Sequence, residues 1–181
     1  MAGDGSILDI GCGNGWWLRS LAEAGVDPAR LYGIDIQPER VAAAREAVPG
    51  AEIAVGDARH ARFPGETFAV VLQLTLLSSL GSHRAIRESL GEGIRLLAPG
   101  GVLLIYEPRV PNPLNRHTVL IRKSDLEAAG VTPTEQLSLT VLPALARRLG
   151  ERTPRIYARL ARLPFLRTHR LVAYRKRGGG G

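Results

Sequence analysis

ILDIGCGNGWWL, residues 7–18, sets a strand-like run with an acid at its end, three glycines spaced two apart and two tryptophans into one short turn. The branched residues of SILDIG predict a β-strand, and WWLRSLAEAG predicts a helix ended by Gly25. In an open parallel sheet a ligand sits beyond the carboxyl ends of the strands, and Asp9 to Gly15 fall at such an end. Glycine at 11, 13 and 15 admits backbone angles closed to other residues and lets a ligand touch the main chain itself. Amide hydrogens at the start of the following helix favour a carboxylate or phosphate. Trp16 and Trp17 begin the helix that packs back on the sheet, and one of the two is free to line the pocket instead. Cys12 reads as a small filler residue, since no histidine is placed beside it by a motif.

The remainder repeats this strand-then-helix rhythm. RLYGIDI is a second strand and QPERVAAAREAV a helix with Pro38 in its first turn, where a missing amide hydrogen costs little. AEIAVGD is a third strand, and the continuous apolar run FAVVLQLTLL a fourth, buried on both faces. HRAIRESLGEGIRLLAPGG reads as a helix closed by Pro and Gly, and VLLIYEP as a fifth strand. This alternation predicts an α/β, doubly wound, mostly parallel sheet with helices on both faces. Beyond Glu107 come the loop PRVPNPLNRH, a short helix KSDLEAAGV capped by Ser124 and a strand EQLSLTV. Two short basic helices broken at Pro154 and a last strand THRLVAYRKR follow, then a disordered GGGG tail. No linker divides the chain, so residues 1–176 are read as one domain and 177–181 as the tail.

Length suffices for one core: 181 residues need no disulfide or metal staple. The single cysteine excludes an internal disulfide and favours a reducing, cytoplasmic setting. There is no signal-peptide pattern and no apolar run of membrane-span length, so a soluble protein is expected. Charge is uneven. Residues 1–108 hold 9 basic and 13 acidic side chains, whereas residues 109–181 hold 15 and 4, a net of +11. The basic half fits nucleic acid, an anionic membrane surface or an anionic substrate, and equally arginines solvating helix faces.

Two ligand classes use a glycine turn of this kind. Dinucleotide enzymes prefer G-x-G-x-x-G, whereas here the spacing is G-x-G-x-G behind Asp9. That pattern resembles motif I of the class I S-adenosylmethionine-dependent methyltransferases. LYGIDIQ ends a strand on Asp35, whose carboxylate can take both ribose hydroxyls, a role dinucleotide sites share, with Ile36 against the adenine. In the methyltransferase pattern the Asp57-Ala58 pair of VGDAR reads the adenine edge, the carboxylate taking the exocyclic amine and the Ala58 amide facing a ring nitrogen. RLLAPGGVLLI matches the helix, Pro-Gly-Gly turn and fifth strand of that family. The resemblance implies a Rossmann-like fold with an antiparallel last strand and S-adenosyl-L-methionine as cofactor. It assigns cofactor contacts to Asp9, Gly11, Cys12, Gly13, Gly15, Asp35, Ile36, Asp57, Ala58 and Gln73. FAVVLQLTLLSSL, YEPRVPNPLNRH and LPFLRTHRLVAYRK look like a bacterial subgroup often associated with polysaccharide or glycoconjugate biosynthesis.

Methyl transfer needs chiefly alignment and dryness, and a hydroxyl acceptor also needs a base. By position, His83, Glu107 and Arg109 are the catalytic candidates, with Tyr106, Asn112, Asn115 and His117 in the same region. Polar groups there suit a small-molecule or glycan acceptor, lipid-linked or anionic acceptors included, and the basic segment ARRLGERTPRIYARLARLPFLR would suit a membrane surface. His60 and His169 read as surface and strand histidines. No zinc-type Cys/His cluster or magnesium-type carboxylate group is present, so no metal is expected. A nucleic-acid methyltransferase is the alternative, weakened by few aromatic residues for stacking and by the lack of an Asn/Asp-Pro-Pro-Tyr signature. A non-catalytic cofactor-binding scaffold is the third reading. Relatives place helices ahead of motif I that roof the site, while here the first strand begins within about six residues. The roof is therefore expected to be missing, supplied by a partner or cut away, and the activity of the chain as it stands is a separate matter from that of its parent.

Overall fold

A computed structural model describes residues 5–110, 118–141 and 167–178. Seven strands form one sheet in the order β3-β2-β1-β4-β5-β7-β6: β1 (Ile7–Ile10), β2 (Leu31–Asp35), β3 (Glu52–Val55), β4 (Phe68–Leu74), β5 (Leu97–Pro108), β6 (Glu135–Val141) and β7 (Arg167–Arg175). β1 to β5 pair in parallel, and β7 runs antiparallel between β5 and β6. Helices α1 (Trp16–Glu23), α2 (Pro38–Ala47), α3 (His83–Leu96) and α4 (Lys123–Ala128) accompany the sheet. The expected α/β architecture, with its antiparallel last strand, is the observed one. Among the described residues no helix is long and apolar enough to cross a membrane.

Strand alternation separates two cores. Leu31 joins Leu18 of α1 and Val41 and Ala44 of α2, while Ile34 joins Phe68, Ile86, Leu90 and Leu103 on the other face. Tyr32, Phe63 and Phe68 meet edge to face at centroid distances of 5.2–6.0 Å. Burying each leucine is worth about 1.5–3 kcal/mol, so both layers hold the helices down. Glu92 adds a polar tie: its Oε1 accepts the Ala61 amide at 2.8 Å, and Arg95 bonds Glu92 and the Phe63 carbonyl.

Two boundaries differ from the sequence reading. The helix expected to run into Pro99-Gly100 stops at Leu96, and Leu97 already pairs with Phe68. The carbonyls of Arg95 and Leu96 accept the Glu66 and Thr67 amides, so the sheet ladder takes over there. Pro-Gly-Gly lies inside β5, where a Cβ on Gly101 would stand 2.9 Å from the Ala98 carbonyl and 3.0 Å from that of Ala69. Ser124 does not cap α4. Arg122 precedes the helix, and the Asp125 carboxylate accepts its amide at 2.9 Å. The expected basic helices at 143–165, Asn112, Asn115 and His117, and the tail from 179 lie outside the described residues.

Candidate functional site

Sheet order reverses between β1 and β4, and the turns leaving β1 to β4 gather at this switch point. The Gly11 and Cys12 amides both donate to the Ile34 carbonyl, at 2.7 and 2.9 Å, which pins the glycine turn to β2. Gly11 has φ +77°, and a Cβ there would meet Leu76 Cδ1 at 2.7 Å. Gly13 has φ +54° with no atom within 4 Å of its Cβ position, so its backbone is open to a ligand.

Asp35 is 6% exposed; its Oδ2 accepts the Gly13 amide at 3.0 Å and its Oδ1 the Gln37 amide at 2.9 Å. Each oxygen keeps a lone pair, since a carboxylate has about four acceptor positions. Asp57 is gripped by Arg59, whose Nη2 lies 2.6 Å from Oδ2 and whose Nε reaches both oxygens. That guanidinium holds the Asp57 carboxyl down at about 2. A cavity of about 420 Å³ opens among these ends, bounded by Gly11, Asp35, Ile36, Asp57, Ala58 and Leu80. A neighbouring cavity of about 440 Å³ continues past Gly13 and Asn14 to Trp16 and Trp17. Arg40 and Thr75 border both. Thr75 is a β-branched residue at φ +58°, a conformation costing roughly 1–3 kcal/mol, and its amide is held by the Tyr106 carbonyl at 2.7 Å.

The turn thus brings together Gly11, Cys12, Gly13, Asp35, Ile36, Asp57 and Ala58 of the expected cofactor set. Three others stand apart. Asp9 lies beneath the turn at 1% exposure and borders neither cavity; burial, then the neighbouring Asp35 charge, pushes its carboxyl up to about 7, and its Oδ2 has no hydrogen-bond partner. Gly15 borders neither cavity because its face abuts α2, with Ala44 Cα 3.1 Å from its Cβ position. Gln73 is fully buried and turned toward α3, its Nε2 donating to the Ser89 carbonyl at 2.7 Å. Cys12 is buried with its thiol pushed up to about 12, chiefly by burial, which suits packing against Gly33 rather than chemistry.

The catalytic candidates border neither cavity. Glu107 is fully buried, and its two oxygens accept the Leu77 and Ser78 amides at 2.6 and 3.2 Å, fastening the 3-10 turn Leu77–Ser79. Burial raises its carboxyl, opposed by those hydrogen bonds. Arg109 donates to Ser138 Oγ at 3.1 Å. His83 places Nδ1 2.7 Å from Asp125 Oδ2, and Asp125 is anchored by Arg87 Nη1 at 3.1 Å and by the Arg122 amide. The carboxylate can only accept in that contact, so Nδ1 carries a proton. Tyr106 stacks on His169 at 4.9 Å, and the His60 amide closes the turn onto the Asp57 carbonyl. No group of three or more His, Cys, Asp or Glu among the described residues is placed to hold a metal ion. Sequence reasoning passed over Arg40 and Thr75, although the rule that sites form at carboxyl strand ends points to the residue directly after Leu74.

Residues 7–101 match the family described as "Methyltransferase domain". Demethylmenaquinone methyltransferase of Chlorobaculum parvum (strain DSM 263 / NCIMB 8327) is 34% identical over 120 residues, 64% of this chain and 46% of that protein. Among solved structures, SAM-bound CalS10, an amino pentose methyltransferase from Micromonospora echinaspora involved in calicheamicin biosynthesis, is 32% identical with a TM-score of 0.53. It covers 60% of this chain and 45% of that one. The [4+2]-cyclase SpnF shares the fold at a TM-score of 0.69 and 22% identity, over 99% of this chain and 78% of its own. The chain spans about half the length of the curated relatives it matches. The matched segment runs from β1 into β5 and takes in the glycine turn and both acidic strand ends at the cavity, and the chain belongs to the methyltransferase domain family.

Proposed function

We propose that the chain binds S-adenosyl-L-methionine at the glycine turn and serves methyl transfer to a hydroxyl of a small-molecule or glycan acceptor. The observation that carries this reading is the convergence of the β1 turn, Asp35 and the Asp57-Ala58 pair on one cavity of about 420 Å³. The residues present fit the cofactor. Asp35 retains lone pairs for ribose hydroxyls, Ile36 is 65% exposed beside the cavity as an adenine platform, and the open Gly13 backbone suits the amino-acid tail. Asp57 already accepts four contacts from Arg59, the amide and Nε on Oδ1 and Nε and Nη2 on Oδ2, so an exocyclic amine reaching it has to displace part of that grip. When bound, the cofactor supplies an electrophilic methyl group on a sulfonium. The chain's own side chains then have to hold the acceptor, exclude water and receive the hydroxyl proton. None of the three nominated side chains borders either cavity: Glu107 holds the Leu77 and Ser78 amides, Arg109 bonds Ser138 and His83 bonds Asp125. The likeness to an amino pentose methyltransferase supports a sugar acceptor, and the likeness to a demethylmenaquinone methyltransferase supports a quinone one.

Two measurements test the reading. Calorimetry with S-adenosylhomocysteine gives a micromolar-range dissociation constant, and cofactor with a labelled methyl group transfers label to the small-molecule fraction of a cell extract. Absence of binding overturns the cofactor assignment. Label confined to nucleic acid replaces the acceptor with a nucleic acid, one of the partners that the +11 half of the chain fits.

A further inference from the structure

The two tryptophans of the chain are consecutive, and both stand exposed, Trp16 at 54% and Trp17 at 40%. Their rings meet edge to face with centroids 4.4 Å apart and planes at 87°, so together they present two perpendicular apolar surfaces. Packing does not require this exposure. Leu18 supplies the buried contact of α1, and neither indole belongs to either core. The pair rims the cavity of about 440 Å³ that also holds Gly13, Asn14 and Leu74, and this cavity adjoins the first through Gly11, Arg40 and Thr75. Large aromatic side chains held open beside polar backbone are costly to leave in water and are common where a ligand face is gripped.

We propose that Trp16 and Trp17 form the acceptor subsite and select an acceptor that presents a ring with a flat apolar face. This inference rests on the cofactor reading above: with the adenosine in the first cavity and the amino-acid tail over Gly13 on the inner side of the second, the Trp16–Trp17 rim is the part of the second cavity left to an acceptor. Indole surfaces grip an aromatic ring by stacking and the C–H face of a sugar ring by the same dispersion and electrostatic contacts, whereas an open-chain polyol offers no such face. Asn14 and the Arg40 guanidinium at the rim supply donors for the ring's oxygen substituents.

With two tryptophans, the ¹⁵N-labelled protein gives two indole N–H signals, and both report on this rim. The protein is titrated with S-adenosylhomocysteine and then, in that complex and also without it, with 2-naphthol, methyl β-xyloside and the open-chain control xylitol. The expected result is a saturable shift of both indole signals with at least one ring probe and none with xylitol. A response to 2-naphthol alone assigns an aromatic acceptor, and a response to the xyloside alone a sugar. Trp17→Ala and Trp16→Leu each weaken the ring probe at least five-fold while S-adenosylhomocysteine affinity by calorimetry stays within two-fold. Indole signals that answer only to S-adenosylhomocysteine, or equally to xylitol, overturn the proposal, because the rim then belongs to the cofactor or to no ring. Failure of S-adenosylhomocysteine to bind while the ring probe still shifts the indoles contradicts the cofactor reading and leaves the ring subsite standing.

Discussion

Asp9 carries a charge problem that the fold does not relieve: it is buried, its Oδ2 lacks a partner, and burial and Asp35 lift its carboxyl from 3.8 to about 7. Between those two values the folded chain keeps a proton that the unfolded chain has released, so stability falls as pH rises through this window and levels off above it. Asp9→Asn removes the dependence. Thermal melts from pH 4 to 8 should show the parent losing a few kcal/mol that the variant does not lose; parallel pH curves would contradict the assignment. Asp57 shows the opposite sign, held at about 2 first of all by its hydrogen bonds from Arg59. Arg59→Ala is expected to let that carboxyl climb toward 3.8, read as a ¹³C carboxyl titration by NMR, while an unmoved midpoint would mean that another group holds it down.

The glycine turn and the loop after β4 are built on different supports, and substitutions separate them. Gly11→Ala forces both a left-handed backbone and a clash with Leu76, and should cost about 1–3 kcal/mol in urea unfolding. Gly13→Ala meets no atom within 4 Å, so its stability loss is expected to stay near about 1 kcal/mol while S-adenosylhomocysteine affinity falls at least ten-fold. Equal stability losses with unchanged affinity would remove Gly13 from the site. Glu107→Ala strips the acceptor from the buried Leu77 and Ser78 amides and should cost about 1–3 kcal/mol in the same assay, with Glu107→Gln costing less because one acceptor oxygen remains. The strands and helices up to β5 were readable because apolar runs and helix stops are local signals that alternate everywhere but between β3 and β4. The end of α3 was not, since Leu96 to Gly101 holds no residue that separates a terminating helix from an entering strand; pairing with Phe68 does that. Gln73 was assigned to the cofactor from its place late in β4, and only the packing of α3 against β4 shows which way its amide turns. Arg40 escaped notice because a side chain borders a cavity from a helix by its reach, which no spacing rule encodes.

Across the full chain charge is unevenly spread: the segment that matches the methyltransferase domain family is residues 7–101, and residues beyond β5 carry a net +11. The fold class and the two acidic strand ends follow from the sequence because strand ends, glycines and carboxylates are local features. The committed state of Glu107, the His83–Asp125 contact across 42 residues and the shared border of two cavities join distant parts of the chain, and become visible only once the sheet is assembled. The central claim is that one cofactor occupies the cleft where β1, β2 and β3 release their turns. A crystal structure of the chain with S-adenosylhomocysteine tests it most directly. The account requires density with the ribose on Asp35, the adenine between Ile36 and the Asp57-Ala58 turn, and the amino-acid tail along Gly11 to Gly13; density elsewhere, or a nicotinamide dinucleotide binding there in its place, would contradict it.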